Sequence, residues 1–330
     1  MRARMHGVAV LVAFGIASAA FAESPGMAEL STAEADEVSP LRARIVFETG
    51  VGTGTFIASD FSDDPLVYSA LNVTPIYNLD DLPFQPNLAL RQWFQWEYTQ
   101  PNNVSGRRLD WGDTAISLST NSLYVHESTG LRLGARLETT LPISRTSWNT
   151  HKITATTAAL RATWTSGKFM VMGTAAATRH FYRYRNEVRE GEVVFEDGLR
   201  AVHCRSGQDV CLGGRYVLAW SATGGILLAY QALPRLGIAL DMAWTGGWRV
   251  AAPVDEFTSP NARTDNRTLD MTRTLLDVSY SLTENLSLSL GAATFQPLLS
   301  RDNRTWRNPF YDGNPANNFT TFYVDAVYSL

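Results

Sequence analysis

After residue 22 the chain lacks any continuous apolar stretch approaching the roughly twenty residues that a membrane-crossing helix requires, so a helical membrane protein is excluded. Charge is scarce as well. Asp, Glu, Lys and Arg make up 18% of the 330 residues, and their balance leaves a formal net charge of −4, which offers a nucleic acid backbone nothing to bind. There are only two cysteines and five histidines. Cys204 and Cys211 are separated by the polar run Arg205 to Val210, and in an oxidising compartment the pair is expected to close a disulfide that stiffens a surface loop. His203 precedes Cys204, but two thiols and one imidazole fall short of a closed four-ligand zinc site, so neither a metal nor a cofactor is expected.

What the chain does have is aromatic: 11% of its residues, nine of them tryptophan, in a sequence that is 45% hydrophobic yet near neutral in average hydropathy. Few charges, many rings and a neutral average suit a wall in which outward apolar and inward polar residues alternate.

The N-terminus carries Arg2 and Arg4, an apolar run from Gly7 to Ala19, and the small-residue triplet Ala20-Phe21-Ala22. This reads as a secretory signal peptide over 1–22, cleaved before Glu23. No cysteine follows the cleavage point, and Arg2-Ala3-Arg4 lacks the adjacent pair of a twin-arginine signal. Residues 23–43 are expected to be a periplasmic lead-in and 44–330 the folded body.

Within that body the alternation recurs. Leu88, Leu90, Phe94, Trp96 and Tyr98 fall on one face, and Ala89, Arg91, Gln95, Glu97 and Thr99 on the other, with Gln92 and Trp93 breaking the pattern. Leu131, Leu133, Ala135, Leu137 and Leu141 alternate with Arg132, Gly134, Arg136, Glu138 and Thr140. The same rule separates Leu236, Ile238, Leu240, Met242 and Trp244 from Gly237, Ala239, Asp241, Ala243 and Thr245. Strands are expected near 44–56, 66–77, 87–100, 113–124, 131–142, 153–164, 169–182, 215–229, 236–248, 269–282, 286–297 and 318–330. The segment 66–77 alternates least cleanly. From residue 101 onward, short connections alternate with long ones rich in Asn, Asp, Arg, Gly and Pro. Sorting by length is the asymmetry of a transmembrane barrel, with short periplasmic turns and long extracellular loops. The expectation is an all-β, up-and-down, antiparallel transmembrane barrel of about twelve strands, both ends on the short-turn side.

A charged side chain on a lipid-facing wall is costly, so the alternation assigns Arg44, Glu48, Arg91, Glu97, Arg132, Arg136, Glu138, Arg161, Asp241, Arg273, Asp277 and Asp325 to the interior. Six charges of each sign face inward. They suit either a wet pore for small polar solutes or a salt-bridged filling of side chains. Trp96, Tyr98, Trp164, Trp244, Trp248, Tyr280 and Tyr328 fall near strand ends, where amphipathic rings sit at headgroup depth against membrane lipids.

Two stretches resemble outer-membrane β-barrel proteins of Gram-negative bacteria as a class. Tyr280 to Gly291 looks like strand, tight periplasmic turn and strand; Phe319 to Leu330, with Phe322, Val324, Ala326, Tyr328 and Leu330 on one face, looks like the C-terminal signal read by the outer-membrane assembly machinery. Such proteins usually end in Phe, and this chain ends in Leu330. The resemblance implies location in the outer membrane and contact with that machinery.

Patterns of the known barrel enzymes are not found. Asp63-Asp64 is a possible rim pair of the omptin kind, but no histidine has an aspartate two residues before it, and the His-Asp-Ser-Asn-Gly run of outer-membrane phospholipase A is missing. His180 is the best isolated candidate for a base, without a nucleophile at recognisable spacing. A passive channel for small polar solutes is the reading that follows, ahead of a non-conducting structural or surface-binding barrel and, further behind, a lipid hydrolase.

Overall fold

Strands with one apolar and one polar face can hide the polar faces, and satisfy every backbone group, by closing on themselves. The computed structural model of the chain does this. It describes residues 40–55, 66–99, 109–184, 186–190, 210–250, 268–299, 305–311 and 320–330. Its strands are β1 (Leu41–Gly52), β2 (Val67–Asn78), β3 (Asn87–Glu97), β4 (Leu109–Trp111), β5 (Thr114–His126), β6 (Leu131–Leu141), β7 (Lys152–Ser166), β8 (Phe169–Tyr182), β9 (Asn186–Glu190), β10 (Val210–Tyr216), β11 (Leu218–Leu233), β12 (Leu236–Arg249), β13 (Thr268–Ser281), β14 (Leu286–Pro297) and β15 (Thr320–Ser329). One short helix, α1 (Arg145–Asn149), lies between β6 and β7.

Twelve of these strands form the ring: β1 to β3, β5 to β8 and β11 to β15, each antiparallel to its neighbours. Closure comes where β1 meets β15, with Ile45 opposite Tyr328, and where β2 meets β3, with Leu71 opposite Phe94. This is the closed up-and-down barrel expected from the sequence. The first strand begins at Leu41, three residues ahead of the expected position, and ends at Gly52. Three elements were not foreseen: β4, which adds to β3 beyond its contact with β5; the separate β9–β10 hairpin; and α1.

Burial is inverted relative to a soluble protein. On β14 Leu290 is 63% exposed while the neighbouring Ser289 is 8%, and on β12 Met242 is 40% exposed while Asp241 is 4%. The exposed apolar set faces out from every wall, as a lipid-facing surface requires. Among the described residues no helix is long and apolar enough to cross a membrane.

The poor alternation of β2 has a local cause. Ser69 faces outward with Leu71 and Val73, yet it is buried because Tyr98 donates to its hydroxyl at 3.2 Å and Thr49 bonds it at 3.0 Å. Gln92 also faces outward, donating Nε2 to the carbonyls of Trp93 and Gly112 at 3.1 and 3.0 Å where the chain passes from β4 to β5. The outward polar groups at the long-loop end of β14 and β15 are covered differently. Residues 305–311 fold against the outside of the wall, where Gln296 donates to the Asn308 carbonyl at 2.7 Å, Thr320 donates to the Phe310 carbonyl, and Trp306 pairs with Leu299. Thr294 and Gln296 are 1% and 2% exposed beneath this strap.

Candidate functional site

The register of the ladders places Arg44, Glu48, Arg91, Glu97, Arg132, Arg136, Glu138, Arg161, Asp241, Arg273, Asp277 and Asp325 on the inward face. They are not spread evenly. On one side, β13, β15 and β1 present Asp277, Asp325 and Glu48, with Arg44 lower on β1. Beyond β2 in the ring, β3, β6 and β7 present Arg91, Arg132, Arg136 and Arg161 with Glu97 and Glu138. Between them, β12 and β13 hold the pair Arg273–Asp241 at 2.5 Å.

The arginine side is organised by Glu138. Arg91 reaches past β5, whose inward positions Ser117 and Ser119 are small, and its Nη2 lies 3.3 Å from both carboxylate oxygens of Glu138; Arg136 pairs with the same group. Two guanidinium groups thus share one carboxylate, leaving surplus positive charge on that wall. Arg161 stands on β7 opposite Gly134, and Arg132 is exposed near the short-turn end opposite Val125.

On the acidic side Glu48 and Asp325 are directly opposite on adjacent strands. Tyr68 donates its hydroxyl to Glu48, and Tyr323 donates to Asp277 at 3.1 Å. Glycine makes room for both rings: a Cβ at Gly50 would overlap Tyr68, and one at Gly291 would overlap Tyr323. Glu97, at the long-loop end of β3, accepts from Thr99 at 3.3 Å and lies opposite Tyr68. A third stretch of the interior is apolar, formed by Met170, Met172, Leu227, Ala229 and Ala239 on β8, β11 and β12.

Around the long-loop rim, Asp113 holds α1 in place. It accepts from the Ser144 amide at 3.0 Å, the Ser147 hydroxyl at 2.6 Å and Lys152 Nζ at 2.9 Å. Burial works to raise the Asp113 pKa, but the Lys152 charge and the Ser147 and Ser144 donors outweigh it and hold the carboxyl below its ordinary value.

His180 faces inward near the long-loop end of β8, and its Nε2 lies 3.0 Å from Ser221 Oγ. Sequence reasoning missed Ser221, which β11 delivers after the β9–β10 hairpin. Nδ1 of His180 has no partner among the described residues, and the surrounding amides are committed to the strand ladders rather than aimed at an oxyanion. Asp63-Asp64 and Cys204 with His203 lie outside the described residues; Cys211 lies on β10, and its side chain is not among those described.

The rings of Trp96, Tyr98, Trp164, Trp244, Trp248, Tyr280 and Tyr328 all face outward and are exposed. Trp164, Tyr280 and Tyr328 lie toward the short-turn end, and Trp96, Tyr98, Trp244 and Trp248 toward the long-loop end.

No family of known proteins and no curated protein matches the chain in sequence. Solved structures do match in shape. An outer membrane channel from Pseudomonas putida F1 superposes with a TM-score of 0.52 at 12% identity, over 93% of this chain and 99% of that one. The NanC porin gives 0.45 at 9% identity, over 86% and 98%. At such identities the likeness with the Pseudomonas channel establishes the fold, which is that of an outer-membrane β-barrel.

Proposed function

We propose that this chain is a passive channel for small polar solutes in the outer membrane of a Gram-negative bacterium, with its long loops outside and its short turns in the periplasm. The observation that supports the reading is the segregation of inward charge, with Glu48, Asp277 and Asp325 on β1, β13 and β15 and the Arg91, Arg136 and Glu138 cluster on β3 and β6. Segregated charges set a field within the lumen, which orients dipolar solutes while the near-balance of sign keeps selectivity between anions and cations weak. In this reading Arg132, Arg161, Asp241 and Arg273 line the same path. Residues 1–22 direct export, the terminal strand through Leu330 engages the assembly machinery, and Cys204 and Cys211 close a disulfide in a surface loop.

Purified protein in planar bilayers is expected to give stepwise conductance with weak ion selectivity. A second reading, a non-conducting barrel filled by its own side chains, is favoured by Leu227, which faces inward and is only 2% exposed. Silent bilayers from protein shown to be folded and inserted would select it.

A further inference from the structure

Within the regular ladders, the outward positions of the twelve barrel strands carry just two charges, Asp270 at the loop end of β13 and Arg179 on β8. A charge on this face is costly unless it is paired or lies at headgroup depth. Among the described residues Arg179 meets no carboxylate. Its Nη1 donates to the Ala219 carbonyl at 3.3 Å, and its guanidinium lies 4.9 Å from the Trp220 ring centre and 5.6 Å from that of Phe181. Aromatic rings on two sides fix the group in place and leave most of its five donors for something else.

Immediately below Arg179 on the same outward row come Ala177 and Ala175, and there the wall is hollow. Leu118, Leu137, Ala158, Leu160, Ala175 and Ala177 line a groove of about 620 Å³ that crosses the outside of β5 to β8. Small side chains make its floor and leucines its banks. Its apolar lining and its volume, within the roughly 300–1,000 Å³ range of small-ligand sites, suit a hydrocarbon chain.

We propose that this groove seats an acyl chain of a net-anionic, phosphate-bearing lipid of the leaflet at the long-loop end, with the headgroup phosphate held by Arg179. The arginine fork matches phosphate oxygens in a bidentate way, and the apolar channel starting at its base takes the chain attached to that phosphate. A second copy of this protein would fill the groove less well, because it would have to place an anion at Arg179 while presenting a ridge to the hollow. The inference rests on the barrel spanning a membrane and not on conduction.

The test is native mass spectrometry of detergent-purified full-length protein with dimyristoyl-phosphatidylglycerol or dimyristoyl-phosphatidylcholine. One phosphatidylglycerol should remain bound about tenfold more strongly than phosphatidylcholine. Arg179→Gln should erase that preference, and Ala175→Trp, which fills the groove while leaving Arg179 in place, should displace both lipids. A β-rich circular dichroism spectrum for each variant shows that the barrel is intact. The proposal is overturned if wild-type protein holds the two lipids equally, if Arg179→Gln changes nothing, or if excess inorganic phosphate alone displaces the bound lipid. It is also overturned if the protein runs as a dimer that Ala175→Trp separates, which would make a second copy the occupant.

Discussion

Arg91 on β3 and Glu138 on β6 meet across the intervening strand β5, with Nη2 of the arginine 3.3 Å from each carboxylate oxygen. Both side chains are largely covered, at 13% and 10% exposure, and Arg136 leans on the same carboxylate. Removing Glu138 therefore takes a shared carboxylate from two arginines at once, whereas removing Arg91 leaves that carboxylate paired with Arg136.

If the barrel conducts as proposed, Glu138→Gln is expected to shift its selectivity toward anions, read as a change in reversal potential across a salt gradient, and to cost about 1–3 kcal/mol of stability. Arg91→Gln should produce the opposite shift in selectivity and a smaller loss. Equal and same-signed shifts from the two would contradict the pairing.

Gly291→Ala puts a methyl group where the Tyr323 ring lies. Overpacking of this kind costs about 1–3 kcal/mol, and the ring must move into the interior. Reduced thermal stability and a smaller unit conductance are expected together. Adding Tyr323→Leu should restore only part of the stability, because it removes the clashing ring while the new methyl still meets the Leu276 carbonyl oxygen.

Asp113 supplies a dependence on pH at the rim. Because its folded pKa is held below the ordinary carboxylate value, the stability it contributes is present above that ordinary value and is lost as pH falls through the depressed one. Protection of the Ser144 and Ser147 amides at the start of α1, taken relative to the intrinsic exchange rate at each pH, should fall on acidification through that window. In Asp113→Asn the protection of these amides should be low at neutral pH and should not change with acid.

Gln296 anchors the strap through the Asn308 carbonyl. Gln296→Ala is expected to expose the strap to proteolysis, with trypsin cutting after Arg307 at least several times faster than in the parent while the barrel itself stays resistant. Unchanged cleavage would mean that Thr320 and the Leu299–Trp306 pairing hold the segment without it.

Most of the fold can be read from period-two alternation, since a lipid-facing wall demands an apolar residue at every second position and a closed ring demands that all strands obey. The exceptions are the positions where a distant partner replaces lipid. Ser69 is polar and outward because Tyr98 covers it, Gln92 because the chain breaks between β4 and β5, and Thr294 and Gln296 because the strap lies over them. Nothing local marks such residues. The same holds inside the barrel. Parity along a strand tells which way Arg91 faces, but its reach to Glu138 depends on strand order and on the small serines of β5. His180 and Ser221 are 41 positions apart, and only the pairing of β8 with β11 brings them together.

The strap also alters how the barrel meets a bilayer. Where residues 305–311 cover Thr294, Gln296 and Thr320, the apolar belt on β14 and β15 stops short, whereas on β12 it continues to Trp244 and Trp248. The hydrocarbon thickness that the protein matches therefore differs around its circumference. Such uneven mismatch is relieved by tilting the barrel axis or by thinning the membrane beside the short side. The protein should thus lean toward the strap and deform one patch of the leaflet, giving an otherwise symmetric cylinder a preferred orientation toward its neighbours in the membrane plane.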